Sequence, residues 1–318
     1  MRAAVLGTNW GLVHVQALRR HGVRVVALCG GPTDADRTRR VAREQGIDIA
    51  ISDPAGLLEL HLDLITIATP AGTHPMLLRQ FDGMPVICEK PLLGMSGDES
   101  LLPLRMRNVW LNFAFPFLGA ARLLATAVNR LGGARRVEID SGFDLPLTFT
   151  APEWFLEVGI HPLSWAVHAF GPPRLVGGWY HDAPHHSATL ELVLGDAVPV
   201  RVACHEVAGL DGIEHQVKVL TDGGLLELTG RFGRGSPWKF DQVLLDGRPV
   251  AGDETAVDRD PRPEGRHEDP WLQANVRSIG AALRAISGEV STAQGLAGGL
   301  FTPEKARPID DCARRAFG

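Results

Sequence analysis

Tyrosine is almost absent from this 318-residue chain: Tyr180 stands alone, and the residue four places on is Pro184. That excludes a dehydrogenase working through a Tyr-x-x-x-Lys pair. Lysine is nearly as scarce, with Lys90, Lys218, Lys239 and Lys305 the only four among 32 basic residues. A lysine kept in so arginine-rich a chain marks a place where a compact ammonium serves and a guanidinium fork does not. The four cysteines, Cys29, Cys88, Cys204 and Cys312, lie far apart with no Cys-x-x-Cys pair. They exclude a disulfide frame and a cysteine zinc site, and read as reduced thiols of a cytoplasmic protein. No apolar run approaches the roughly 18–20 residues of a membrane helix, and the stretch before Thr8 and Asn9 is too short for a signal peptide. A net charge of −5 argues against a nucleic-acid or anionic-membrane partner, which calls for a basic stripe.

Hydrophobic residues make up 45% of the chain and charged residues 22%, ordinary for a globular protein, and the length suggests two domains. The first part alternates apolar strand runs (Ala3–Leu6, Val23–Cys29, Ile49–Ile51, Leu64–Ala68, Pro85–Cys88, Asn108–Phe113) with helical stretches. Among these, Thr33 is placed as the cap of a helix running to Gln45. This alternation predicts an α/β, doubly wound parallel sheet over residues 1–118. Residues 119–318 change character: seven strand runs, several joined by Asp-Gly and Gly-Asp turns, surround a helix at Pro162–Phe170 and another near Trp271–Ile286. They predict an α+β domain on an open, mostly antiparallel sheet. If that sheet presents a broad apolar face, the face must be covered, so a homodimer or homotetramer is expected. Asp253–Asp269, charged and aperiodic, reads as an exposed loop.

After the first strand comes Gly7-Thr8-Asn9-Trp10-Gly11. A glycine turn there lets backbone N–H groups at a helix start face a pyrophosphate. The loop is one residue shorter than Gly-x-Gly-x-x-Gly, with Asn9 in place of the second glycine. Alone it is a weak motif, and a plain strand-to-helix turn is the other reading. The second strand ends in Cys29-Gly30-Gly31, without the acid that holds a ribose 2′-hydroxyl. Thr33 and Arg37 follow, and they suit a 2′-phosphate. NADP is therefore the preferred cofactor, with NAD as the alternative.

Lys90 follows the fifth strand in Glu89-Lys90-Pro91, at the carboxyl end where a doubly wound sheet holds its ligands. Further on stands Glu157-Val158-Gly159-Ile160-His161-Pro162. Pro162 suits the first turn of a helix, which places His161 at its N-cap. The helix dipole would then favour a neutral imidazole able to exchange protons near pH 7. A structural cap is the plainer alternative. Trp154 and Phe155 read equally as pocket lining or core, and Trp238 and Trp271 as core or interface. His181, His185 and His186 flank Pro184 and read as a turn, so no metal site is expected.

The glycine turn with His14, then Thr69-Pro70 with Thr73-His74, then Glu89-Lys90-Pro91, then Asn112-Phe113 and the acid-x-Gly-x-His element together resemble the glucose–fructose oxidoreductase / inositol dehydrogenase / MocA family. The short glycine loop and missing ribose acid resemble its thiazolinyl imine reductase branch, although the lysine of Glu-Lys-Pro is not general there. The resemblance implies that Gly7, Thr8, Asn9, Trp10, Gly11, Thr69, Pro70, His74, Glu89 and Lys90 bind the cofactor. It also implies that Lys90, His161 and Glu157 are catalytic, with His161 the general acid. Glu157 stands where the family usually has Asp, and Ser164 where a second Asp follows. The implied activity is hydride transfer from NADPH to a C=O or C=N bond of a small biosynthetic intermediate, a keto-sugar or cyclic imine of secondary metabolism. An NAD-dependent sugar or polyol dehydrogenase and a non-catalytic cofactor-binding sensor are the alternatives.

Overall fold

The structure is a computed structural model; it describes all residues except 96, 104, 105, 107, 145–148, 234–238, 241 and 251–268. The chain forms two compact units, and neither is one continuous stretch: Met1–Phe113 is joined by Asn275–Arg307, and Ala114–Ala274 by Pro308–Gly318.

In the first unit, β1 (Arg2–Leu6), α1 (Gly11–Arg20), β2 (Arg24–Cys29), α2 (Ala35–Glu44), β3 (Ile49–Ile51), β4 (Leu64–Ile67), α3 (His74–Gln80), β5 (Val86–Glu89) and β6 (Val109–Asn112) follow in order. The strands make one parallel sheet in the order β3-β2-β1-β4-β5-β6. β4 and β5 are buried throughout and β1 is buried from Ala3 onward, as expected of central strands covered on both faces. The helix after β2 differs from the expectation. Pro32–Asp34 forms a 3-10 turn, α2 starts at Ala35 behind Asp34, and no side chain caps it, so Thr33 is not the cap. The 3-10 turn already directs the chain into the helix. A second such turn at Pro54–Glu59 is capped by Asp53, whose carboxylate accepts from the Ala55 N–H.

The second unit carries α4 (Gly119–Arg130), β7 (Ala134–Phe143), α5 (Ala151–Trp154), a π-turn at Phe155–Gly159, α6 (Ile160–Phe170), β8 (Pro173–His181), β9 (Ser187–Leu194), β10 (Val198–Glu206), β11 (Gly212–Thr221) and β12 (Gly224–Gly233). The short β13 (Lys239–Phe240), β14 (Leu244–Leu245) and β15 (Arg248–Pro249) complete a nine-stranded sheet. The order is β15-β14-β12-β11-β7-β10-β9-β8, with β13 also on β12; β7 and β10 pair in parallel and the other pairs are antiparallel. α7 (Pro270–Ile286), α8 (Thr292–Ala297) and α9 (Pro303–Phe317) follow in the chain, with the stretch Asn275–Arg307 belonging to the first unit. The expected loop at 253–268 and Trp238 lie outside the described residues.

Strand alternation sets the two faces of this sheet. Val137, Val200, Val202, Val217, Val219 and Leu226 point inward and are at most 3% exposed. The outward residues between them form a row in register across five strands: Glu227, Lys218, Glu138, Arg201 and Glu191. Opposite charges alternate along the row, an arrangement in which a directly opposed pair contributes about 0.2–1 kcal/mol; Lys218 Nζ lies 3.8 Å from Glu227, while Glu138 makes its ion pair with Arg136 on its own strand. The premise for expecting an oligomer, a broad apolar face, is not what these strands present.

Candidate cofactor and catalytic sites

The turn after β1 depends on Gly7. Its φ is +114°, and a Cβ there would sit 2.2 Å from the Ala68 carbonyl oxygen, so this position takes glycine alone. The turn is thereby pressed against the end of β4, and Gly7 N–H donates to Cys29 O at 2.8 Å on the other side. Among the described residues, the backbone N–H groups of Thr8, Asn9 and Trp10 have no backbone acceptor. Unused donors in front of α1 suit a pyrophosphate, so the residues present fit a dinucleotide. At the end of β2, Gly30 leaves room only for Thr38, whose Oγ1 would lie 2.0 Å from an added Cβ. An acid in place of Gly30 would have to displace the Thr38 hydroxyl. Thr33 and Arg37 are exposed beside this edge, with Arg37 Nε 3.7 Å from Asp34.

The loops after β4 and β5 are tied by His74. Its ring is fully buried, with Nδ1 2.8 Å from Pro91 O and Nε2 2.9 Å from Thr69 O. Thr69 and Thr73 share a hydroxyl hydrogen bond of 2.7 Å, and Thr73 also donates to Pro70 O. His74 therefore faces inward and holds the chain just beyond Lys90.

Glu89, only 6% exposed, is the centre of a polar cluster. Its Oε1 accepts from Trp10 Nε1 at 3.1 Å, His14 Nε2 at 2.8 Å and Asn112 Nδ2 at 2.6 Å. Asn112 donates also to Asn275 Oδ1 at 2.7 Å. Burial pushes the Glu89 carboxyl up, but the His14 hydrogen bond and charge, the Lys90 charge and the Asn112 amide together hold it below the usual carboxylate range. An ionised carboxylate whose Oε1 takes three donors thus anchors the end of β5, and half-buried Lys90 is the next residue. Asn275 had no signal in the sequence: it lies 163 residues from its partner on another element.

In the second unit, Glu157 and His161 lie on one helical run, not at its start. α5 begins at Ala151 behind a Thr150–Glu153 capping box, and the run continues through the π-turn into α6, ending at Phe170. His161 is therefore not an N-cap, and the helix start on which the expectation above was built lies ten residues earlier, at Ala151. Pro162 accounts for the π-turn: it has no N–H, and its ring would strike the carbonyl four residues back in a regular helix. Ile160 N–H bonds instead to Phe155 O, five residues back. The signal for the earlier start was Thr150-Ala-Pro-Glu153, a capping box readable from sequence.

Within residues 154–165 only Glu157 and His161 escape burial. Trp154 stacks on Phe143 with centroids 4.8 Å apart, and Phe155 is 0% exposed, so both belong to the core. The His161 ring meets Trp271 at 4.7 Å with planes at 90°, and His215 at 6.3 Å. His215 is buried, 2.9 Å from Ser141 Oγ, and desolvation pushes its pKa down to about 3, so it stays neutral. The Ser164 hydroxyl donates to His161 O at 2.6 Å and is fully buried. His181 ends β8, while His185 and His186 lie on the β8–β9 loop, with the His186 N–H donating to Glu206.

A parallel sheet in the order 3-2-1-4-5-6 with a glycine turn at β1–α1 defines a dinucleotide-binding fold, here extended by a sheet-bearing second unit. Residues 1–99 match the oxidoreductase family GFO_IDH_MocA, NAD-binding Rossmann fold. Over this N-terminal part the chain is similar to that glucose–fructose oxidoreductase / inositol dehydrogenase / MocA family. Inositol 2-dehydrogenase 1 of Saccharopolyspora erythraea is 36% identical over 105 residues, 31% of this chain and 31% of that protein. The aligned stretches span 12% and 31% of the curated relatives the chain matches. An inositol dehydrogenase homolog complexed with NAD+ from Azotobacter vinelandii shares the fold with TM-score 0.73 at 19% identity, over 99% of this chain and 95% of that one. Biliverdin reductase in complex with biliverdin and NADP+ from Synechocystis sp. PCC 6803 shares it with TM-score 0.67 at 15% identity, over 98% of each chain. No helix among the described residues is long and apolar enough to cross a membrane.

Proposed function

We propose that the chain is an NAD(P)-dependent oxidoreductase that uses NADPH to reduce a C=O or C=N bond of a small intermediate, a keto-sugar or a cyclic imine. The observation that carries this reading is the anchored Glu89 at the carboxyl end of β5, which presents Lys90 beside a glycine turn with unused amide donors. When bound, the cofactor supplies the hydride. The amides of Thr8, Asn9 and Trp10 hold the pyrophosphate, with Gly7 and Gly11 making room, and Thr33 and Arg37 bind the 2′-phosphate. Lys90 places its ammonium against the acceptor oxygen or nitrogen, where charge develops. His161 is read as the general acid of the reaction, with Glu157, one turn earlier, orienting its imidazole.

Ser164 bears on the substrate. Its hydroxyl is fully buried and its proton is given to the His161 carbonyl, so it has no donor left for a polyol oxygen. The second reading, an NAD-dependent polyol dehydrogenase, is favoured by the sequence likeness to an inositol 2-dehydrogenase.

The test is a paired titration of the purified chain with NADPH and NADH, followed by nucleotide fluorescence. NADPH binding at least about tenfold tighter, about 1.4 kcal/mol, is expected. A preference for NADH overturns the Thr33–Arg37 assignment and moves the second reading forward. Binding of neither overturns the cofactor reading as a whole.

A further inference from the structure

Trp10 is the residue whose placement the cofactor fold does not require. It follows the glycine turn at the carboxyl end of β1, yet its indole N–H reaches Glu89 at the carboxyl end of β5. β1 and β5 are not neighbours, because β4 lies between them. Two inter-strand spacings make about 9–10 Å, so the indole lies across the end of β4. That edge is where a doubly wound sheet receives its ligand. A tryptophan serving only as a spacer would be covered, whereas this one is 41% exposed. Its free rotation is nonetheless removed: the backbone is set by the Gly7 turn, and the far edge of the ring by the hydrogen bond to a carboxylate that His14 and Asn112 also hold. What remains is a flat π-face, fixed in orientation and open, between the pyrophosphate cradle and Lys90.

We propose that this face is the platform on which the nicotinamide ring of the bound cofactor stacks. The proposal rests on the cofactor reading above and adds a side chain to it. An indole face prefers a flat, electron-poor partner, and a cationic one most of all. The oxidised, positively charged nicotinamide therefore gains more from Trp10 than the reduced ring does. The tether to Glu89 makes the platform part of the same rigid unit that presents Lys90.

The experiment is calorimetric titration of the full chain, as wild type, Trp10→Phe and Trp10→Leu, with folding of each checked by circular dichroism. The ligands are NADP+, NADPH and 2′-phospho-ADP-ribose, which lacks the nicotinamide; NAD+, NADH and ADP-ribose replace them if those bind tighter. Trp10→Leu should lose about tenfold in affinity for the oxidised cofactor, less for the reduced one, and nothing for the ADP-ribose. Trp10→Phe keeps a ring and should retain most of the oxidised-cofactor affinity. Part of the tryptophan quenching seen when the wild type binds NADP+ should disappear in Trp10→Phe. Equal losses for the dinucleotide and the ADP-ribose would show that the loop had moved, and would overturn the platform. Unchanged affinities for all three ligands would also overturn it. A wild type that binds the ADP-ribose but neither dinucleotide overturns the platform while leaving the cradle standing, and one that binds no ligand overturns the cofactor reading itself.

Discussion

Replacing Glu89 with Gln isolates the charge at the centre of the first unit's polar cluster. The side chain keeps its shape and one acceptor oxygen, so Trp10, His14 and Asn112 retain a partner, but each hydrogen bond loses its ionic character. Charge-assisted hydrogen bonds are worth about 1.5–3 kcal/mol and neutral ones about 1 kcal/mol. Three such contacts lose about 3 kcal/mol together, and relief from holding a carboxylate in a buried site returns part of it. The net expectation is a loss of about 2 kcal/mol, or about 4–8 °C in Tm. The pH dependence carries the sign. Glu89 is held below its ordinary value of 4.5, so its stabilisation is present in full above that pH and fades as pH falls through the native value. Calorimetric scans of wild type and Glu89→Gln between pH 3.5 and 7.5 would show a gap at neutral pH that narrows in acid. A variant as stable as the wild type at pH 7, or a gap that widens in acid, would refute the reasoning.

Two further substitutions probe the remaining parts of the site. Gly7→Ala places a methyl 2.2 Å from a backbone carbonyl at a φ of +114°; dinucleotide affinity should fall by at least about tenfold and stability by about 1–3 kcal/mol, read by calorimetry. His161→Asn removes the proposed proton donor while its neighbour His215 stays neutral; turnover should drop by about a hundredfold or more with dinucleotide binding unchanged, in a steady-state assay alongside titration.

Strand periodicity made most of the parallel sheet legible, because β1 beyond Arg2, β4 and β5 are buried and read as largely apolar runs, broken only by Thr66 and by Glu89 at the end of β5. Lys90 was legible for a different reason: it is a rare residue at a strand end. The start of the helix carrying His161 was misplaced because Pro162, a first-turn residue in most contexts, is here accommodated by a widened turn. Local propensity describes what proline prefers and not what a neighbouring turn can absorb. The inward aim of Glu89 and His74 was hidden for the same kind of reason. A motif names a residue, while the atoms that will meet it come from Asn112, Trp10 or a carbonyl on another loop. Asn275 illustrates the limit, since no spacing rule connects it with Asn112.

The charged row on the outer side of the large sheet bears on how that sheet finds its alignment. A one-residue shift of a strand would bring its apolar residues outward, and burial alone forbids it. A two-residue shift keeps the apolar set inside, so burial cannot detect it. The row can. Moving β7 by two residues in one direction replaces Glu138 with Arg136 opposite Lys218, setting two cations side by side between strands whose other neighbours are unchanged. Glu138 sits between Lys218 and Arg201, so the error would be felt on both sides at once. The row therefore disfavours that one misalignment, and neutralising Glu138 would remove its central charge.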